Sequence, residues 1–189
     1  MPEATYCFIS KWRVKSTKEE VYDVLGDANG LARWWPSVYL DVKVIKPGDA
    51  LGVGKIVELY TKGWLPYTLR WSFEVVVVDK PNGFTIVPYG DFEGRGIWTF
   101  EQDKNDPAYC NIVYDWKIKA AKPLLRKLTF LIRPIFSANH LWAMKKGEQS
   151  LRLELQRREA QRNGAELIIP KPPQPTFPHN FINNKILQQ

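Results

Sequence analysis

Apolar and polar residues alternate through most of the first 120 positions, and the period changes only twice. In "TYCFISKWRVKS", Tyr6, Phe8, Trp12 and Val14 share one face, and Lys11, Arg13 and Lys15 share the other. That period of two predicts a half-buried strand. In "STKEEVYDVLGD", Val21, Val24 and Leu25 form one helical stripe, Ser16 or Thr17 can cap it, and Gly26 and Gly30 end it. "LARWWP" then predicts a second short turn, stopped by Pro36. Five or six strands follow: "VYLDVKVIK", "KIVELYTK" broken by "GWLPYT", "LRWSFEVVVVD" closed by "KPNG", "FTIVPYG", "RGIWTFEQD" and "YCNIVYDWKIK". Leu69, Trp71, Phe73 and Val75 alternate with Arg70, Ser72 and Glu74. Cys110, Ile112, Tyr114, Trp116 and Ile118 alternate with Asn111, Asp115, Lys117 and Lys119. One apolar face and one wet face mark an antiparallel sheet covered on a single side.

The cover is expected from the helical region between about Leu124 and Arg162, divided at Pro134. Its second part places His140, Met144, Gly147, Leu151 and Leu155 in one stripe. The pairs Glu148–Arg152 and Glu154–Arg158 are assigned to the wet side, and Gly164 ends the helix. The expected architecture is α+β, a helix-grip fold. A curved antiparallel sheet of six or seven strands wraps a long C-terminal helix, with two short helices after the first strand. Sheet and helix do not close completely, so a cavity is expected between them. Residues 1–165 form that domain, and the proline-rich 166–189 form a tail in extended polyproline geometry or disorder. Ile168, Ile169, Phe177 and Phe181 give the tail apolar points with which to fold back or meet a partner.

Eight Trp, eight Tyr and nine Phe in 189 residues sharpen this picture, because rigid rings suit a dense core or a ligand cavity. Trp35, Tyr67, Trp71, Tyr89, Trp98, Tyr114, Trp116 and Met144 are the candidate ligand-binding residues, and at least one of Trp34 and Trp35 is core. His140, beside Asn139, is the only histidine outside the tail. Two readings stay open for it: a hydrogen-bonded core imidazole, or a ligand-contacting acid or base. Asp91 is the second catalytic candidate, against a turn-capping role paired with Arg95.

Charge and motifs narrow the classes. The net charge of +7 admits an acidic partner. Bases on the long helix alternate with acids, so no nucleic-acid site is expected. "KAAKPLLRKLTFLIR" sets Lys119, Lys122, Arg126, Lys127 and Arg133 around an apolar run. It is read as a lid over the cavity, or as a transient contact with an anionic membrane. Cys7 and Cys110 are read as two reduced buried thiols, or as neighbours on paired strands. No metal-ligand spacing, phosphate loop or dinucleotide fingerprint occurs, so neither metal nor cofactor is expected. The start carries no signal-peptide pattern, and no run approaches the roughly 18 apolar residues of a membrane span, so a cytoplasmic protein is expected. The sequence leaves the oligomeric state open.

"EVYDVLGDANGLARWWPSV", "GWLPYTLRW", "GDFEGRGIWTF", "VYDWKI" and "IFSANHLWAMKKGEQSL" together resemble the SRPBCC superfamily, also called Bet v 1-like or START-like. The ordered set is most similar to its bacterial polyketide cyclase/dehydrase and lipid-transport branch, which also shows an Asn-His pair in the last motif. The likeness runs from about residue 6 to 155 and omits the tail. It implies an apolar pocket for a lipid, polyketide or similar small molecule. It does not imply one reaction. Binding or transport of a hydrophobic small molecule is the leading expectation. A cyclase or dehydratase using His140 is the alternative, and an interaction module using the tail is the third.

Overall fold

The computed structural model describes residues 5–90, 92–120 and 123–177, with the side chains of 5, 92, 120 and 123–133 excepted. Seven strands, β1 (Thr5–Lys15), β2 (Tyr39–Lys46), β3 (Ile56–Lys62), β4 (Thr68–Asp79), β5 (Gly83–Gly90), β6 (Phe92–Gln102) and β7 (Tyr109–Ala120), form one antiparallel sheet. The order across it is β1-β7-β6-β5-β4-β3-β2. Only β1 departs from sequence order, pairing with β7 along its whole length from Thr5–Lys119 to Lys15–Tyr109. Between β1 and β2 lie α1 (Lys18–Leu25), a single 3-10 turn (Ala28–Gly30) and α2 (Leu31–Trp34). α1 starts where Thr17 accepts a hydrogen bond from the Glu20 amide at 3.2 Å, and it buries Val21, Val24 and Leu25.

The long helix α3 (Pro123–Arg162) lies across the concave face. It runs through Pro134 unbroken, which corrects the expected division. One proline removes one backbone donor, and a 40-residue helix tolerates that loss where its neighbours pack it. A second correction concerns Glu154, which is buried at 3% exposure rather than wet. The docking of α2 explains it. Arg33 meets both carboxylate oxygens at 2.8 Å, and Arg157 and Arg158 add their own bonds at 2.7–2.8 Å. Three guanidinium groups hold this carboxyl far below the usual carboxylate range, although burial alone would raise it.

The two halves of the concave face differ. Around α1 the space is filled: Val14, Phe100, Cys110, Ile112 and Leu151 are 0–2% exposed. The hollow lies in the other half. The cysteines are not neighbours: Cys7 faces Lys117, and Cys110 faces Val14. Cys7 is exposed, because position 7 falls on the wet face of β1, while Cys110 is buried and its thiol is pushed up to about 11. Residues 165–177 form neither helix nor strand. They fold back to the β3–β4 loop, where Thr176 Oγ1 donates to the Trp64 carbonyl at 3.2 Å and Lys62 Nζ donates to that of Phe177 at 3.0 Å. Leu167 and Ile168 stay exposed, so Ile168 does not pack on the body. Phe181, His179 and Lys122 lie outside the described residues, as do the side chains of Arg126, Lys127 and Arg133. Among the described residues, no helix is long and apolar enough to cross a membrane.

Candidate functional site

A cavity of about 160 Å³ lies between the sheet and the middle of α3. The strands supply its wall because their inward positions carry rings. Trp98 (β6) stacks on Tyr114 (β7) at 4.0 Å between centroids and 14° between planes. Tyr114 stacks on Trp116 at 5.5 Å, and Trp116 meets Trp71 (β4) at 5.8 Å. Gly96 leaves the room these rings need, since a Cβ there would stand 2.7 Å from the Tyr114 hydroxyl. Trp71 Nε1 donates to Thr61 Oγ1 at 3.0 Å, which fixes its ring. Tyr67, from the β3–β4 loop, and Met144, from α3, complete the lining. Burial pushes the Tyr67 phenol up to about 12, so it stays protonated and able to donate.

Trp35 enters from the end of α2 and packs edge-on against Tyr39 at 5.1 Å and Trp12 at 5.6 Å. Its neighbour Trp34 is buried away from the cavity, so the pair divides into one wall residue and one core residue. Trp35 reaches the helix only because position 147 is glycine. A Cβ on Gly147 would lie 2.2 Å from Trp35 Cζ2.

Asn139 and His140 sit side by side on α3 and do different things. Asn139 Oδ1 accepts from the backbone amides of Trp64 at 2.9 Å and Leu65 at 3.4 Å, tying the helix to the β3–β4 loop at the cavity's edge. Gly63 permits this, since a Cβ there would overlap Oδ1 at 2.0 Å. Replacing Asn139 by Ala should cost about 1 kcal/mol of stability, the worth of such bonds where water can replace them. It should also speed hydrogen exchange at the Trp64 and Leu65 amides; unchanged exchange would deny the tie. His140 lines the cavity, lies flat on Phe8 at 4.2 Å and 17°, and has Nε2 3.3 Å from Ser10 Oγ. Burial pushes its imidazole down to about 4, so it is neutral at pH 7.

Eight of the nine residues expected to bind ligand therefore surround one hollow. Tyr89 does not. It is 42% exposed on the outer face, because Tyr89 pairs with Ser72 and shares that strand position's outward direction. Asp91 lies outside the described residues. The pattern missed Lys62. Alternation along β3 assigns it outward with Glu58 and Tyr60, yet it is 4% exposed and lines the cavity. The strand ends there, and Phe177 of the returning tail covers it. No local sequence signal marks such a long-range cover.

No protein-family model and no curated protein sequence matches the chain. Solved structures do. The Zhui aromatase/cyclase from Streptomyces sp. R1128 superposes with a TM-score of 0.67 at 15% identity, over 82% of this chain and 96% of that one. A protein from Thermus thermophilus gives 0.61 at 18% identity, over 77% and 97%. Truncated norcoclaurine synthase from Thalictrum flavum gives 0.56 at 17% identity, over 82% and 96%. At such identities the likeness is one of fold. A seven-stranded antiparallel sheet gripping one long C-terminal helix is shared with these proteins, so the chain has their helix-grip fold.

Proposed function

We propose that the chain binds a hydrophobic small molecule in the cavity between the sheet and α3, within a ligand-binding domain of residues 1–165 that carries a tail of 166–189. One observation supports this above the others. Tyr6 Oη and Trp35 Nε1 are buried on the cavity lining without a hydrogen-bond partner among the described residues. In a closed core each such atom costs about 1–3 kcal/mol, whereas a bound molecule with an oxygen satisfies it. The lining is mostly ring and aliphatic carbon, so burial supplies affinity at about 25 cal/mol per Å². As it stands the hollow suits a body of about one aromatic ring, since an apolar cavity of about 150 Å³ takes benzene. Native mass spectrometry of protein purified from its own host tests the reading. A small molecule retained in the folded state and lost on denaturation supports it. An empty protein that also binds no aromatic probe overturns it.

A second reading is an enzyme of the cyclase or dehydratase type. It is favoured by an imidazole on the wall of a cavity that also carries protonated phenols at Tyr67 and Tyr114. His140 would take a proton beside a carbonyl, and a phenol would steady the oxyanion that develops. Its low pKa makes the imidazole a weak base, which favours the carrier. His140→Gln separates the two: a carrier keeps its affinity within a few-fold, while an enzyme binds and loses turnover.

A further inference from the structure

The cavity's polar groups have one chemical bias. Among the described lining residues there is no carboxylate and a single charged side chain, Lys62. Two fully buried polar lining atoms have no hydrogen-bond partner among the described residues: Trp35 Nε1, which can only donate, and Tyr6 Oη, which can donate. Lys62 is 4% exposed, and no carboxylate lies within ion-pair distance of it among the described residues. A buried ammonium normally finds such a partner. Here Nζ has only the Phe177 carbonyl, at 3.0 Å, and the Phe177 ring, whose centroid lies 5.3 Å away. An ammonium carries three protons, so two remain for another acceptor. Desolvation lowers its pKa, as it does for a charge set in an apolar wall without a counter-ion.

We infer that Lys62 anchors an anionic oxygen of the ligand, so that the molecule bound is an organic acid: an apolar, ring-sized body carrying a carboxylate or similar oxyanion. The Phe177 carbonyl occupies one of the three donor directions, and the acid's oxygens take the others. A charge-assisted bond in a site with little water is worth more than a neutral one. Tyr6 and Trp35 then serve the remaining oxygens, and the rings of Trp71, Trp98 and Trp116 hold the body. The inference rests on the pocket reading above, and its failure is distinguishable from the failure of that reading.

The test uses two probes of one shape, benzoate and benzamide, titrated calorimetrically into the full chain at pH 7.5. The wild-type protein should prefer the carboxylate by about tenfold or more. Lys62→Gln should abolish the preference, while Lys62→Arg should retain it. Lys62→Met replaces the Gln variant if that one fails to fold. Equal affinities for the two probes in the wild type, or a preference that survives in Lys62→Gln or Lys62→Met, overturn the inference and leave the pocket standing. Binding of neither probe overturns the pocket reading, and the inference with it.

Discussion

Gly147→Val should lower stability by about 2–3 kcal/mol and close the cavity at the same time. The helix backbone at 147 lies against the flat of Trp35, and the first carbon added there meets Cζ2 at 2.2 Å and Cε2 at 2.6 Å. Neither partner yields cheaply. The indole is 2% exposed and wedged among Trp12, Trp34 and Tyr39, and α3 is tied down on either side by Asn139 and Glu154. Overpacking of this kind costs about 1–3 kcal/mol, occasionally more. Valine regains only a few tenths of a kcal/mol over glycine in helix propensity, so the steric term wins. Trp35 lines the hollow, so the displaced ring should swing into that space. Denaturant midpoints give the stability loss. Loss of benzamide binding, relative to the wild type, reports the closure. A variant with an unshifted midpoint and intact binding would mean that helix and indole do not approach as closely as described.

The same residues show where sequence patterning reads a site and where it stops. The rings on β4, β6 and β7 were legible because the pleat has a strict period of two and each strand carries its apolar set on one side. His140, Met144 and Gly147 were legible because α3 keeps a single stripe over many turns. Tyr89 was misassigned against the same logic: alternation within β5 turns it outward with Val87, opposite to Ile86 and Pro88, and its pairing with Ser72 agrees. Glu154 was misplaced because an i,i+4 partner on its own helix explained it locally, while the arginine that buries it comes from α2, 121 residues away in sequence. Lys62 was invisible because its cover lies 115 residues downstream, in a segment without secondary structure. Alternation within an element survives in the sequence. Contacts between elements that depend on docking or on a returning tail do not.

Acid should weaken the fold in two separate stages, and the first belongs to His140. An unfolded chain takes up a proton on this ring near the ordinary value of 6.5, whereas in the folded protein burial pushes it down to about 4. Between those values the unfolded state holds the extra proton, so stability is fully present above pH 6.5 and falls as the pH drops toward 4. At about 1.4 kcal/mol per unit, the loss approaches 2 kcal/mol at pH 5 and 3 kcal/mol by pH 4. Desolvation is the cause of the shift: the ring meets Phe8 and Ser10, and no carboxylate among the described residues pairs with it. The carboxylates act in a lower window. Asp103 is held at about 2, by loop amides and Arg13, and Glu154 is depressed by its three arginines. Their contributions are present above about pH 4 and lost only below it. Urea midpoints at pH 7 and pH 5 should therefore differ in the wild type and nearly coincide in His140→Gln, which has no imidazole on the cavity wall. Equal pH dependence in the two proteins would place the ring in contact with water and remove the basis for calling it a neutral wall of the cavity. An acidic ligand bound beside it should oppose the loss, because a carboxylate near the imidazole raises the pH at which the folded protein takes up that proton.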